Sequence, residues 1–353
     1  MVPIAFPPPN PVLVATPILA RMERLGLLGA LALSTLALHG QQQNPYNFST
    51  QTDLVTVPTQ ITNPQGDFIY GLKASQFVVT DNGAPRRVRL EEAPEQTGLS
   101  LAVVVQCSGA AALESAKLTG LATMIENITG AAPHEVAVLS FGAEPTLLTR
   151  FTSDPVKISA AVSAIQPCRG GVATLDAVEY ATHMLDERDN HYRRAILLIS
   201  ETRDHGSHAT AKEVIAELGR TNTVVNTVAY SPARDQFLND LKPDGYGSTH
   251  IMQVTPLLFM AINAMRDNAS SELATLSGGE YFNVTTRKAF DQALGHLANQ
   301  LHNFYLLSFQ LPNTPAAGYH ALRVSVPGRP DVLIRNRTSY WSEPVQPSSS
   351  DTR

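Results

Sequence analysis

Cysteine is nearly absent from this 353-residue chain, with two copies, and charged residues make up only 16% of it. Two cysteines cannot build the dense disulfide framework of a small secreted scaffold or a zinc site of several thiolates. No run of Lys or Arg occurs and the net charge is −5, which excludes a general nucleic-acid binder. No apolar stretch reaches the roughly 18 residues of a spanning helix, so no stable membrane span is expected. A Gly-x-Ser-x-Gly elbow is missing, and with it the usual sequence mark of an exported serine hydrolase. His205-Gly-Ser-His208 has no companion Cys or His cluster that would complete a zinc site. No repeat of 20–50 residues is present, which removes solenoids and propellers.

What is present begins with a hydrophobic content of 43%, enough for a sizeable core. Arg21-Met-Glu-Arg24 followed by the apolar stretch Leu25–Leu38, then His39-Gly40 and a Gln run, has the order of a secretory leader. Cleavage near Gly40 is expected, with translation able to start at Met22. The product would be exported, to the periplasm or outside the cell.

Residues 51–90 alternate like strands: 53–62, 68–72, 76–80 and 86–90, with Asp81-Asn82-Gly83 as a hairpin turn. From Leu99 the texture changes. Strands are expected at 99–105, 136–141, 146–151, 195–200, 223–229 and 280–284. They alternate with helices near 113–128, 155–165, 173–187, 209–220, 256–276 and 287–303, the pattern of a doubly wound, mostly parallel α/β sheet. Thr210-Ala-Lys-Glu213 reads as a capping box. The apolar positions Leu257, Leu258, Met260, Ala261, Ile262 and Met265 read as core. Strand texture returns at 305–311, 321–326 and 332–335, and the segment after Glu343 is Ser/Pro-rich and expected to be disordered. The N-terminal β unit cannot bury both faces alone, so the late strands are expected to complete it as one antiparallel β domain.

Three strand ends carry a resemblance. Leu101-Ala-Val-Val-Val-Gln-Cys-Ser-Gly-Ala110, Gly170-Gly-Val-Ala-Thr-Leu-Asp-Ala177 and Ala195-Ile-Leu-Leu-Ile-Ser-Glu-Thr-Arg-Asp204 resemble, in order, the three metal loops of von Willebrand factor type A domains. That match covers roughly residues 98–304. The flanking Asp53-Leu-Val-Thr-Val, Gly71-Leu72, Phe77-Val-Val-Thr-Asp-Asn-Gly83 and Tyr305-Leu-Leu-Ser-Phe309 resemble the exported type A-related proteins common in Acidobacteria, in which β segments bracket the type A domain. Patterning and the resemblance together divide the chain into a leader (1–40), an N-terminal β segment (41–97), a Rossmann-like type A domain (98–304), C-terminal strands (305–342) and a tail (343–353).

In that family a divalent ion is held by an Asp and two Ser of the first loop, a Thr of the second and an Asp of the third. The matching positions here are Gln106, Ser108, Ala110, Val172 and Glu201, of which only Ser108 keeps the family residue. The resemblance therefore implies a degenerate adhesion site with no cofactor. Thr174 or Asp204 could substitute as ligands. Cys107 and Cys168 fall in neighbouring loops of this fold, and either a disulfide between them or two buried thiols is compatible with the sequence.

The reading favoured is a non-catalytic exported module that binds a protein or cell-surface polymer without a cation. Its contact rim would be formed by Gln106, Ser108, Gly109, Ala110, Val172, Glu201, Arg203, Asp204 and His205. The alternatives are an Mg²⁺- or Mn²⁺-dependent adhesion module using Glu201 and Ser108, and an exported hydrolase using Asp204 and His205 with Ser108 or Ser200.

Overall fold

The computed structural model describes residues 54–91, 98–109, 111, 118–230, 254–311 and 316–342. The expected leader, the C-terminal tail and Ala110 lie outside the described residues.

Strand β5 (Leu99–Gln106) is the centre of the molecule. Every one of its eight side chains is buried, as expected when a β-branched run is covered on both faces. It pairs in parallel with β6 (His134–Phe141) on one side and β8 (Arg193–Glu201) on the other. β9 (Val224–Tyr230) and β10 (Tyr281–Val284) extend the sheet in parallel beyond β8. β7 (Pro145–Thr152) closes the other edge antiparallel to β6. The order β10-β9-β8-β5-β6-β7 reverses direction at β5, which makes the crevice between the carboxyl ends of β5 and β8 the topological switch point.

One face of this sheet, through Ala102 and Val104, packs on helices α3 (Thr174–Asp186), α4 (Ala211–Thr221), α5 (Val254–Asp267) and α6 (Ala269–Ser277). The other face, through Leu101, Val103 and Val105, packs on α1 (Leu121–Thr129), α2 (Pro155–Ser163) and α7 (Arg287–His302). The Thr210–Glu213 capping box forms as expected.

The remaining strands build two four-stranded antiparallel sheets that share a core. One has the order β13 (Leu333–Asn336), β1 (Leu54–Thr62), β11 (Tyr305–Gln310), β4 (Arg89–Leu90). The other has β14 (Ser339–Ser342), β12 (Gly318–Ser325), β2 (Val78–Asp81), β3 (Ala84–Arg86). Val57, Ile61, Leu307 and Phe309 of the first sheet meet Val79, Leu322 and Tyr340 of the second. Both sheets mix strands from the two ends of the chain, so neither is complete until the whole chain has been made. Tyr319 and Trp341 carry the contact onward to the α3–α4 face of the large sheet.

Several local expectations are corrected. The run 86–90 is not one strand: it divides into β3 and β4, which belong to different sheets. Residues 68–72 make only a single bridge, Thr62 to Phe68. The helix expected over 256–276 is two helices, because the Asn268 side chain accepts from Ser271 N and caps a second start. Met260 is 56% exposed and so is not core, unlike Ala261 and Met265. β14 was not expected from the sequence.

A buried polar cluster sits where β2, β12 and β14 meet. The two ring nitrogens of His320 both face acceptors, Nδ1 the Asp81 Oδ1 at 2.8 Å and Nε2 the Ala316 carbonyl at 2.6 Å. Tyr340 donates its hydroxyl to Asp81 Oδ2 at 3.0 Å, and Arg86 pairs with the same oxygen at 2.6 Å. Burial pushes the imidazole down, but the Asp81 carboxylate and the Ala316 carbonyl outweigh it and raise it above the ordinary value. Asp81 moves oppositely: burial raises it, and the bonds from His320 and Arg86 carry it below the carboxylate range.

The signs fix a pH dependence. The raised His320 contributes stability in full below its unfolded value near ~6.5 and loses it as pH climbs through the folded value. The lowered Asp81 contributes above its unfolded value near ~3.9 and loses it as pH falls through the folded value. Urea unfolding is therefore expected to show a higher midpoint at pH 6 than at pH 8.5. His320→Gln should remove that difference, and an unchanged difference in the variant would refute the assignment.

Candidate functional site

The carboxyl ends of β5 and β8 are tied across the switch-point crevice by a reciprocal pair of hydrogen bonds. Gln106 Nε2 donates to Glu201 Oε1 at 3.0 Å, and the Glu201 backbone N–H donates to Gln106 Oε1 at 2.7 Å. The same amide nitrogen reaches Ser108 O at 2.9 Å, which folds the loop back on its own strand. Gly109 follows in the left-handed region at φ +62°, and a Cβ there would collide with the Glu201 carboxylate. Only glycine lets the loop lie this close beneath Glu201.

The neighbouring loops are joined covalently. Cys107 and Cys168 form a disulfide, and Cys168 N–H donates to Cys107 O at 2.9 Å. Ser108 Oγ donates to Gly171 O at 2.7 Å, and Val172 exchanges two backbone bonds with His205. The loops after β5, β6 and β8, together with the segment 168–173, thus form one cross-braced cluster.

Several rim positions take other roles. Gln106, Ser108 and Val172 are buried, because their side chains make the bracing itself. Gly109, Arg203 and His205 remain exposed, and Glu201 is half-buried. Asp204 caps a helix from across the loop: its Oδ1 accepts from Leu175 N at 3.1 Å and from Ser207 Oγ at 2.5 Å. Helix α3 needs that cap, since its own N-cap residue is Ala173. Asp176 returns the favour, accepting from the backbone N–H groups of His208 and Ala209.

The hydrolase arrangement is not assembled. His208 faces Asp176 rather than Asp204, Ser200 Oγ is buried against Ser270 Oγ at 2.9 Å, and no hydrogen bond joins the His205 ring to Asp204. The sequence reading missed Ala143, Glu144 and Arg169, all exposed, which add the β6–β7 turn and loop two to the same face. Their only sequence signal is position beside Gly142 and Gly170, glycines whose Cβ positions are taken by Cys168 and Ala143.

Residues 103–203 match the von Willebrand factor type A domain. The matched type A segment runs from β5 to the loop after β8, the part of the chain that carries this site. Among solved structures, BatB from Bacteroides thetaiotaomicron is similar at 17% identity and a TM-score of 0.39, over 57% of this chain and 100% of that chain. The von Willebrand factor domain of the type V pili tip protein Mfa5 from Porphyromonas gingivalis is similar at 10% identity and a TM-score of 0.40, over 58% and 95%. Proximal thread matrix protein 1 from the mussel byssus, with a zinc-occupied metal motif, is similar at 12% identity and a TM-score of 0.42, over 60% and 47%. No curated protein matches the chain.

The residues at the type A metal positions do not fit a divalent ion. Val172 offers no side-chain oxygen, the Ser108 hydroxyl is committed to Gly171, and the Gln106 amide is committed to Glu201. Mg²⁺ requires six near-octahedral oxygens, including one or two carboxylates. Among the described residues no group of three or more His, Cys, Asp or Glu side chains could hold a metal. Thr174 is fully buried at the start of α3, and its hydroxyl, which has no hydrogen-bond partner among the described residues, adds one neutral oxygen and no carboxylate.

Proposed function

We propose that this protein is an exported, non-catalytic binding module with a degenerate type A site, contacting a protein or a cell-surface polymer without a divalent ion. The reading rests on the Gln106–Glu201 link. At the crevice where an open α/β sheet keeps its ligand, an amide–carboxylate pair stands in the place that the family gives to metal ligands. With the disulfide it holds the loops rigid from within, and a rigid loop cluster binds without first being ordered by an ion. Export is supported by the charged-then-apolar order of residues 21–38. The contact face would be Glu144, Arg169, Arg203 and His205, an exposed set in which two guanidinium groups outnumber one carboxylate, which favours a partner with acidic groups.

The test is capture of a partner from envelope and secreted fractions by the purified chain, with and without chelator. Capture should survive the chelator and be lost in an Arg169→Glu/Arg203→Glu variant that keeps its thermal midpoint. Mg²⁺ or Mn²⁺ binding tighter than about millimolar in a calorimetric titration, with capture lost on chelation, would establish the metal-dependent reading instead. Turnover of ester or peptide substrates that disappears in His205→Ala would establish the hydrolase.

A further inference from the structure

A cavity of about 420 Å³ lies at the opposite end of the large sheet from the braced loops. Its floor is the amino ends of the central strands, where Leu99, Arg193 and Val224 begin β5, β8 and β9. Its roof is the outer face of β1 and β11. Val55, Val57 and Ile61 of β1 point into the core of the β sandwich, so the alternate residues Thr56, Pro58 and Gln60 line the cavity, as does Leu306 of β11. The space exists because the β module is laid over the α/β sheet, and its size is that of a small-molecule site.

The wall is mixed, with apolar area from Leu99, Leu301, Phe304 and Leu306 and a set of charges that do not cancel. Arg194 is paired with Asp186 at 2.8 Å, while Glu280, 4% exposed, sets a carboxylate in the wall beside Arg335, its Oε1 without a hydrogen-bond partner among the described residues. Arg193 has no carboxylate partner among the described residues. Its guanidinium lies over the Phe304 ring at 4.7 Å and spends one bond on the Leu301 carbonyl at 3.0 Å, which leaves donors over. Burial pushes this guanidinium down to about 10. Asn222, whose side-chain oxygen accepts from Arg337, also lines the cavity. Arg193 Nε and Asn226 Nδ2 are buried donors with no hydrogen-bond partner among the described residues, and Gln60 Oε1 and Gln300 Oε1 are buried acceptors in the same state. Buried polar groups are nearly always paired, so a wall with this many unspent groups is suited to a polar occupant.

We propose that this cavity binds a small organic acid, its carboxylate on the Arg193 guanidinium and its apolar body against Leu99, Phe304 and Leu306. Arg offers a fork that matches a carboxylate in two bonds, and stacking on Phe304 already orients that fork. The site is separate from the loop face proposed above and does not depend on it.

Calorimetric titration of the full chain tests it, with hexanoate and benzoate as probes, and hexanamide, benzamide and hexylammonium as shape-matched controls. The acids should bind saturably at about millimolar or tighter, and the neutral and cationic controls at least tenfold more weakly. Arg193→Gln should weaken the acids at least tenfold, and Leu306→Trp, which fills the cavity, should abolish their binding, each variant first shown folded by circular dichroism. Because the acid–amide comparison is made on the unaltered chain, it decides the matter even if a variant fails to fold. Equal binding of acid and amide, retention of binding in either folded variant, or no binding of either acid would overturn the proposal.

Discussion

Arg337→Met is expected to lower the unfolding free energy by about 2–4 kcal/mol, on the order of 1 kcal/mol for each acceptor left without its donor. Arg337 is 3% exposed, and among the described residues no carboxylate pairs with it. It donates to Ser339 O at 2.8 Å, Gly219 O at 3.1 Å and Thr56 O at 3.5 Å, and to the Asn222 side-chain oxygen. Those acceptors lie at the C-terminal end of α4, in β1 and in β14, so one side chain joins the α/β sheet to both sheets of the β module. The C-terminal end of α4 is where a cation is favoured, because the last carbonyls and the helix dipole both present negative charge. Gly278, at φ +83°, packs directly on the Arg337 backbone, and any Cβ there would drive the two segments apart.

Burial works against the charge and pushes the guanidinium down to about 10. Methionine removes that cost while leaving four acceptors, one buried and three partly buried, without this donor, each worth on the order of 1 kcal/mol. The second effect is the larger. Arg337→Lys should recover little, since an ammonium cannot span acceptors on three elements. Urea unfolding followed by circular dichroism measures both variants, and a change below about 1 kcal/mol in Arg337→Met would show that the desolvation cost cancels the bonds.

Breaking the Cys107–Cys168 disulfide is expected to cost up to roughly 4 kcal/mol, since the bond closes a loop with a sequence separation of 61 residues. The stabilisation acts mainly on the unfolded chain, so the fold should persist in the Cys107→Ser/Cys168→Ser variant under native conditions. The local consequence is sharper. The Ser108–Gly171 and Cys168–Cys107 hydrogen bonds would remain as the direct ties between loops one and two, so partner capture by the loop face should fall more than secondary structure does. Comparing urea midpoints with and without reductant measures the first effect. Two thiols reactive in denaturant without reductant would show that the bond is not formed, and a midpoint unchanged by reductant in a chain without free thiols would show that it contributes nothing.

Much of the α/β part was legible in the sequence, for a physical reason. Val103–Val105 must be covered on both faces, and Ile196–Ile199 likewise, so a parallel sheet with helices on both sides follows from the pattern. Helix starts written in local chemistry, such as Thr210 with Glu213, were legible as well. The Asn268 break was not, because an Asn cap inside an amphipathic stretch looks like an ordinary polar position. The division of 86–90 between two sheets was hidden because strand texture does not record which neighbour a strand joins.

The site divides in the same way. The sequence by itself determined which residue types stand in the three loops: an amide at Gln106, an apolar side chain at Val172 and a longer carboxylate at Glu201. Only the tertiary structure decided what those residues do. Whether Gln106 and Glu201 meet, whether Asp204 faces a ligand or the amino end of α3, and whether Arg193 finds a carboxylate depend on elements far apart in the chain being brought within hydrogen-bond reach. The chemistry of a side chain is local, and its partners are set by packing.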